Sequence, residues 1–131
     1  MLAKKLRIVV AKVGCDIHER GALTLLNVFR DAGMEAIYNG RYHSEESIAK
    51  SAVDENADVI AVTDLSGSLV IICRKIKQAL KELKAEDIIV TCGGILTKED
   101  IDELRALGVE GCFPTGTPTD EILEKIKVLA G

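Results

Sequence analysis

LRIVVAKV, from Leu6 to Val13, is a short, β-branched and nearly continuous apolar run. Such a run is typical of a strand that is buried on both faces, as the strands of parallel sheets are. An amphipathic stretch follows from Arg20 to Ala32, and it ends at Gly33, a favourable residue just past a helix C-terminus. The sequence therefore predicts a strand, a loop and a helix, in that order.

The same alternation continues along the rest of the chain. The strands predicted after the first are Glu35–Tyr38, Asp58–Val62, Asp87–Cys92 and Val109–Phe113. The helices predicted after the first are Ser44–Asn56, Leu69–Leu83, Thr97–Leu107 and Pro118–Ala130. Thr97 with Asp100 three residues later resembles a capping box, which predicts that a helix begins there.

Strands that alternate with helices require right-handed crossovers and a parallel sheet covered on both faces. We therefore predict an α/β fold: a flavodoxin-like, Rossmann-like three-layer sandwich with a five-stranded parallel sheet in the order 2-1-3-4-5. The 131 residues fit one domain, residues 1–131. In such sheets the ligand lies beyond the carboxyl ends of the strands, near the switch point between the first and third strands.

Composition and charge argue against two classes of partner. The net charge is −4, and the chain has two Phe, two Tyr and no Trp, which leaves little to bind phosphates or stack on bases. No apolar run approaches the roughly 18 residues of a membrane span. We expect no nucleic-acid or membrane partner and a cytoplasmic location.

The cysteines are Cys15, Cys73, Cys92 and Cys112, and they form no C-x-x-C pair. They are too scattered in sequence for a zinc or iron–sulfur signature. We expect reduced, partly buried thiols that behave as small apolar residues.

Three polar residues lie close together after the first strand: Lys12, Asp16 and His18. A metal-ligating imidazole needs a partner for its other ring nitrogen, and Asp16 suits that role while Lys12 balances its charge. A solvated surface histidine is the simpler alternative. Since His43 is the only other histidine, a metal would have to arrive in a macrocycle such as haem or a corrin.

The loops after the other strands suit a large flat ligand. Gly93 and Gly94 offer bare backbone, although a tight turn without a ligand explains a Gly-Gly pair equally well. Further hydroxyl, apolar and open positions follow the third and fifth strands: Thr63, Leu65, Gly116 and Thr117. The usual dinucleotide and triphosphate fingerprints are missing from the sequence.

These residues resemble the signature of cobalamin-binding domains. Asp16-Ile-His18-Glu-Arg-Gly21 matches the motif D-x-H-x-x-G, Thr63-Asp64-Leu65 resembles S-x-L with Thr in place of Ser, and Gly93-Gly94 matches the third element. The chain looks most like the cobalamin-binding part of methylmalonyl-CoA mutase and related acyl-CoA mutases.

The resemblance implies a role for each matching residue. His18 would replace the cofactor's own base as the lower axial ligand of cobalt. Asp16 would be its hydrogen-bond partner, and Lys12 would in turn interact with Asp16. Ile17 stands where the mutases often have Gly, against the corrin face. The remaining cofactor-binding residues implied are Gly21 in the motif, Thr63 and Leu65 along the cleft for the nucleotide tail, Gly93 and Gly94 where the tail passes, and Phe113, Gly116 and Thr117 at the corrin or tail.

The resemblance also implies an isomerase that uses adenosylcobalamin for a radical 1,2-rearrangement of an acyl-CoA. The CoA ester would bind a separate, larger catalytic subunit, expected to be a TIM barrel, and this chain would be inactive alone. The sequence does not indicate which acyl-CoA is the substrate.

Two other functions compete with this one. A corrinoid carrier for methyl transfer usually has a helical cap before the corrinoid domain, and here we expect none because the first strand begins by Leu6. A phosphoacceptor receiver domain shares the fold and has an Asp at the end of the third strand, near Asp64. Such a domain also needs an acidic pair after the first strand and a lysine after the fifth, and this sequence has neither.

Overall fold

The computed structural model describes residues 5–12, 20–38 and 44–131, within which strands and helices alternate. The strands are β1 (Arg7–Lys12), β2 (Glu35–Tyr38), β3 (Val59–Asp64), β4 (Ile89–Gly94) and β5 (Gly111–Pro114). The helices are α1 (Arg20–Asp31), α2 (Glu45–Asp54), α3 (Leu69–Glu82), α4 (Lys98–Ala106) and α5 (Thr119–Ala130). None of these described helices combines the length and apolar character needed to cross a membrane.

The strands form one parallel sheet in the order β2-β1-β3-β4-β5. The flavodoxin-like fold and the strand order predicted from the sequence are therefore confirmed. The chain reverses its direction of travel across the sheet between β1 and β3, which places the topological switch point there.

Helices cover both faces of the sheet, and alternate residues of β1 belong to different layers. Ile8 and Val10 pack in a buried cluster with residues of α1 and α5, Phe29 among them. Val9 and Ala11 pack in a second cluster with residues of α2, α3 and α4. The apolar run of β1 is continuous because both faces of the strand are covered.

Two predicted helix starts have the expected capping bonds. The Ser44 hydroxyl accepts a hydrogen bond from the Ser47 backbone N–H at 3.1 Å, before α2. Thr97 and Asp100 form the reciprocal capping box of α4, with both hydrogen bonds at 3.0 Å.

β3 and β4 each extend two residues beyond their predicted carboxyl ends, and β5 extends one. Thr63 and Asp64 still belong to β3, and they pair with Gly93 and Gly94 of β4. The sequence suggested loops there because the apolar pattern stops, but backbone pairing does not depend on the side chains. The residues expected in loops thus lie partly on the sheet itself.

The helix-to-strand connections lie at the amino edge of the sheet, and each contains a residue in the left-handed backbone region. These residues are Gly33 (φ 86°), Asn56 (φ 53°), Lys84 (φ 56°) and Gly108 (φ 88°). A left-handed residue just past a helix ends it within one turn and sends the chain into the next strand.

Arg7 ties this amino edge together. Its guanidinium forms ion pairs with the carboxylates of Glu35 and Glu55, and its Nε donates to the Glu55 carbonyl at 2.7 Å. Its backbone N–H donates to Asp58 Oδ2 at 3.0 Å. The start of β1 is thereby linked to β2, to the end of α2 and to the residue before β3.

Candidate functional site

A cavity of about 420 Å³ lies between α1 and α5, over the carboxyl half of the sheet. This volume is within the range of small-molecule sites, about 300–1,000 Å³. Its apolar lining residues are Leu25, Phe29, Ala61, Val62, Leu65, Phe113, Ile122 and Ile126. Its hydroxyl-bearing residues are Thr24, Thr63, Thr91, Thr115, Thr117 and Thr119. The site is a mostly apolar cleft with hydroxyls, at the edge where such sheets bind ligands.

Most of the residues predicted for the site meet in this cavity. Its lining includes Lys12, Thr63, Leu65, Gly93, Gly94, Phe113, Gly116 and Thr117. These residues come from the ends of four different strands and the segments after them. Gly21 lies in the first turn of α1, and its role stays a prediction. Asp16, Ile17 and His18 lie outside the described residues, so their roles stay predictions.

Lys12 is the last residue of β1 and is only 1% exposed, although a lysine ammonium strongly prefers water. Proteins retain a buried charge where it is paired or where it serves a ligand. Lys12 pairs in register with Thr63 of β3, so both lie at the switch point and both line the cavity. The buried lysine therefore lies where the fold places ligands.

The two glycines of β4 differ in how strictly the structure requires a residue without a side chain. A Cβ on Gly94 would lie 1.9 Å from the Asp64 carbonyl oxygen, and its φ of +143° disfavours any side chain. A Cβ on Gly93 would meet the Phe113 carbonyl oxygen at 3.3 Å, a tight contact that a small shift relieves. Close pairing with β3 thus requires Gly94 whether or not a ligand binds. Gly93 contributes only backbone atoms to the cavity lining.

The segment between β5 and α5 is a hydrogen-bonded turn. Thr117 donates both its backbone N–H and its hydroxyl to the Pro114 carbonyl, at 3.0 and 2.6 Å. Gly116 takes a φ of +95°, and nothing lies within 4 Å of a Cβ built on it. Because the Thr117 proton is used in the turn, its hydroxyl oxygen remains suited to accept a hydrogen bond from a ligand.

Asp64 is only 2% exposed, and both its carboxylate oxygens accept hydrogen bonds from the segment after β3. A phosphoacceptor aspartate needs an accessible oxygen to attack phosphorus. This geometry therefore does not favour the receiver-domain alternative.

Three cysteines that looked scattered in the sequence converge in the fold. Cys92 of β4 and Cys112 of β5 are register partners, and Cys92 also hydrogen-bonds Cys73 of α3. Cys112 Sγ donates to the Val109 carbonyl at 3.4 Å. Cysteines that are far apart in the sequence thus lie close together because the register between neighbouring strands pairs them.

Both paired thiols are held in the protonated form. The hydrogen bond with Cys112 lowers the pKa of Cys92, but the bond with Cys73, burial and the charge on Cys73 outweigh it and raise that pKa. The hydrogen bond with Cys92, reinforced by burial, raises the pKa of Cys112. Within the described parts of the chain, no three His, Cys, Asp or Glu side chains form a group suited to a metal ion. These thiols thus behave as the small apolar residues that the sequence predicted.

Sequence reasoning missed the contribution of the two helices that flank the cavity. Thr24, Leu25 and Phe29 of α1 and Ile122 and Ile126 of α5 line it. Their helical spacing indicated that these side chains face inward. That spacing is the same whether the side chain packs against the core or lines a cavity.

Together the fold and the site define a flavodoxin-like α/β domain with a cavity at the carboxyl edge of its sheet, the edge where such sheets bind ligands. The sequence pattern of the B12 binding domain matches residues 6–124. The chain therefore belongs to the B12 binding domain family.

Individual relatives agree with this assignment. The chain is 38% identical over 124 residues to the 2-hydroxyisobutanoyl-CoA mutase small subunit of Aquincola tertiaricarbonis, covering 95% of this chain and 91% of that subunit. It is 33% identical to the pivalyl-CoA mutase small subunit of Xanthobacter autotrophicus (96% of this chain, 84% of that subunit). It is 36% identical to methylmalonyl-CoA mutase of Rhizobium meliloti, covering 88% of this chain but only 16% of that protein.

A cobalamin-binding protein from Desulfitobacterium hafniense DCB-2 has the same fold. Its crystal structure matches with a TM-score of 0.79 at 21% identity, covering 98% of this chain and 60% of that one. At this identity the likeness supports the fold alone.

Proposed function

We propose that the chain is the cobalamin-binding subunit of an adenosylcobalamin-dependent acyl-CoA mutase. The observation that carries the proposal is the meeting of eight separately predicted residues in one cavity at the carboxyl edge of the sheet. The family match and the two small subunits that align over most of their length support the same function.

The described residues suit the nucleotide tail of a cobalamin. A benzimidazole base is flat and apolar, and the cavity offers it aliphatic walls together with Phe29 and Phe113. Threonine hydroxyls in the same lining suit the ribose and phosphate oxygens. We propose that the tail occupies this cavity while the base is detached from cobalt.

We further propose that His18 is the lower axial ligand of cobalt and that Asp16 fixes its tautomer. Lys12 would balance the charge of Asp16, and Ile17 would pack beneath the corrin. The support lies in the motif Asp16–Gly21, which follows the buried Lys12 of β1 in the sequence and ends at Gly21 in the first turn of α1. When bound, adenosylcobalamin supplies a cobalt–carbon bond whose homolysis starts the radical 1,2-rearrangement.

The acyl-CoA requires a second chain in this proposal. We assign the cavity of about 420 Å³ to the cofactor tail, so a CoA ester with its reaction chamber would bind a larger catalytic subunit, proposed to be a TIM barrel. The relatives named small subunits support this division. Methylmalonyl-CoA is the substrate that we propose to assay first, with 2-hydroxyisobutanoyl-CoA and pivalyl-CoA beside it.

The axial ligand is tested by visible absorption of the protein mixed with hydroxocobalamin. We expect the wild type to give the spectrum of a base-off corrinoid with bound imidazole, and His18→Ala to lose it. His43→Ala is the matched control, since it removes the only other histidine and should leave the spectrum unchanged. Identical spectra from wild type and His18→Ala would overturn the assignment.

The reaction class is tested with the catalytic subunit present. Tight uptake of adenosylcobalamin and isomerisation of one of the three acyl-CoA esters support the mutase. Methyl-group turnover with methylcobalamin and a corrinoid methyltransferase would instead support the carrier for methyl transfer.

A further inference from the structure

Asp64 is a buried acid for which the proposed function has no role. It lies between Thr63 and Leu65, the two residues assigned to the tail cleft, and it is only 2% exposed. An ionised carboxylate is costly to bury unless several donors satisfy it. The hydrogen bonds that satisfy Asp64 indicate what it does.

The carboxylate organises the segment that follows β3. The Ser66 hydroxyl lies 2.8 Å from each carboxylate oxygen and shares its single proton between them, and the Ser68 backbone N–H donates to Oδ2 at 3.0 Å. Gly67, with a φ of +87°, lets the chain turn back toward the carboxylate. Residues 66–68 thus form a turn whose side-chain and backbone donors bind the Asp64 carboxylate.

This carboxylate also replaces the missing cap of α3. Ser68 is the residue before the helix, and its own side chain makes no capping bond. The Asp64 oxygen instead takes the Ser68 N–H, and its negative charge lies close to the positive end of the helix dipole. Asp64 therefore fixes the start of α3 relative to the end of β3.

The main chain of Asp64 is held just as firmly. Its carbonyl accepts a hydrogen bond from the Ile95 N–H at 3.4 Å and lies against Gly94, where no side chain fits. Because the Asp64 backbone is bonded at β4 and its side chain is bonded to the following turn, Asp64 restricts the main chain at Thr63 and Leu65 on either side. Leu65 lines the cavity although 43% of it is exposed.

We infer that Asp64 is a positioning residue for the nucleotide tail: it holds Thr63 and Leu65 in the cavity wall through its bonds to Ser66 and Ser68. The inference rests on the proposed function, because it assumes that the cavity receives the tail. It does not concern the cobalt ligand, which the sequence places after β1.

The test compares two corrinoids, hydroxocobalamin and diaquocobinamide, which lacks the nucleotide tail. We expect Asp64→Ala to weaken cobalamin binding about 10-fold, as the loss of an outer supporting bond does, and to leave cobinamide binding within about 2-fold. Asp64→Asn should restore most of the affinity, because its amide accepts from Ser68 and donates to Ser66.

Asp100→Ala is the matched control. Asp100 also accepts a backbone N–H at a helix start, at the same 3.0 Å, but it is only half-buried and is absent from the cavity lining. We expect Asp100→Ala to lower the urea midpoint of unfolding, as cap losses do, and to leave both corrinoid affinities unchanged. Ser66→Ala covers the case in which Asp64→Ala does not fold; it keeps the carboxylate and should weaken cobalamin alone about 3-fold.

The outcomes separate the inference from the proposed function. If wild type binds neither corrinoid, the proposed function fails. If wild type binds cobalamin and a folded Asp64→Ala binds it equally well, or loses both corrinoids equally, Asp64 does not position the tail wall. Unchanged cobalamin binding by Ser66→Ala would overturn the inference in the same way.

Discussion

The two edges of one sheet differ in what their polar groups do. At the amino edge, Arg7 joins Glu35, Glu55 and Asp58, so those groups satisfy one another. At the carboxyl edge, the buried Lys12 and a set of hydroxyls surround a cavity. The ion pairs of Arg7 thus stabilise one edge of the sheet while the other edge opens into a cavity, so variants at each edge should fail differently.

The largest expected effect is the insertion of a methyl group at the carboxyl edge. Gly94→Ala would place a Cβ 1.9 Å from the Asp64 carbonyl oxygen at a φ of +143°, and we expect the free energy of unfolding to fall by about 3 kcal/mol or more. Gly33→Ala at the amino edge shares a positive φ but has open space, so its loss should be about 1 kcal/mol. Urea unfolding measures both, and equal losses would contradict a steric role for Gly94.

The second prediction concerns alkaline pH and the thiols near the carboxyl edge. Because the pKa values of Cys92 and Cys112 are raised in the folded state, the unfolded chain loses these protons first as the pH rises past about 9. Stability should be unaffected by these groups below about pH 8 and should fall above pH 9, by up to about 1.4 kcal/mol per pH unit for each thiol.

Unfolding in urea between pH 7 and 10.5 measures this fall. Cys112→Ala removes one of the two thiols and should make the alkaline slope shallower by about half. An unchanged slope in that variant would show that other groups cause the loss.

The smallest effect is expected at the amino edge. Arg7→Gln removes two partly exposed ion pairs and the bond to the Glu55 carbonyl, which should cost about 1 kcal/mol. Cobalamin affinity should not change, since the cavity is at the other edge. Arg74→Gln is the control, because its single exposed contact with Glu103 at 3.8 Å should contribute nothing measurable. Weaker cobalamin binding by Arg7→Gln would contradict the claim that groups at the amino edge contribute to stability and not to cofactor binding.

The fold was predictable because its signals are local and repeated. Continuous apolar runs such as Leu6–Val13 mark strands covered on both faces, and capping residues such as Ser44 and Thr97 mark helix starts. The strand order then followed from the rules for parallel crossovers. The strand ends were placed less well, since Gly93 and Gly94 pair through their backbones without any apolar side chain to indicate it.

The candidate site was predictable where a motif or the end of a predicted strand marked it. Thr63, Leu65 and the glycines were found in this way, whereas Ile122 and Ile126 were not, because helical periodicity does not distinguish a core from a cavity. The hydrogen bonds of Asp64 and the meeting of Cys73 with Cys92 depend on tertiary contacts, which no short window of sequence contains. The assignment of His18 remains a prediction.

The helices that flank the cavity, α1 and α5, are the first and last described along the chain, so its walls meet only when distant segments are both in place. A ligand bound in the cavity would contact both helices at once, so it would bind the folded state and not the unfolded chain. Loading should therefore raise the melting temperature in proportion to the logarithm of ligand concentration above Kd.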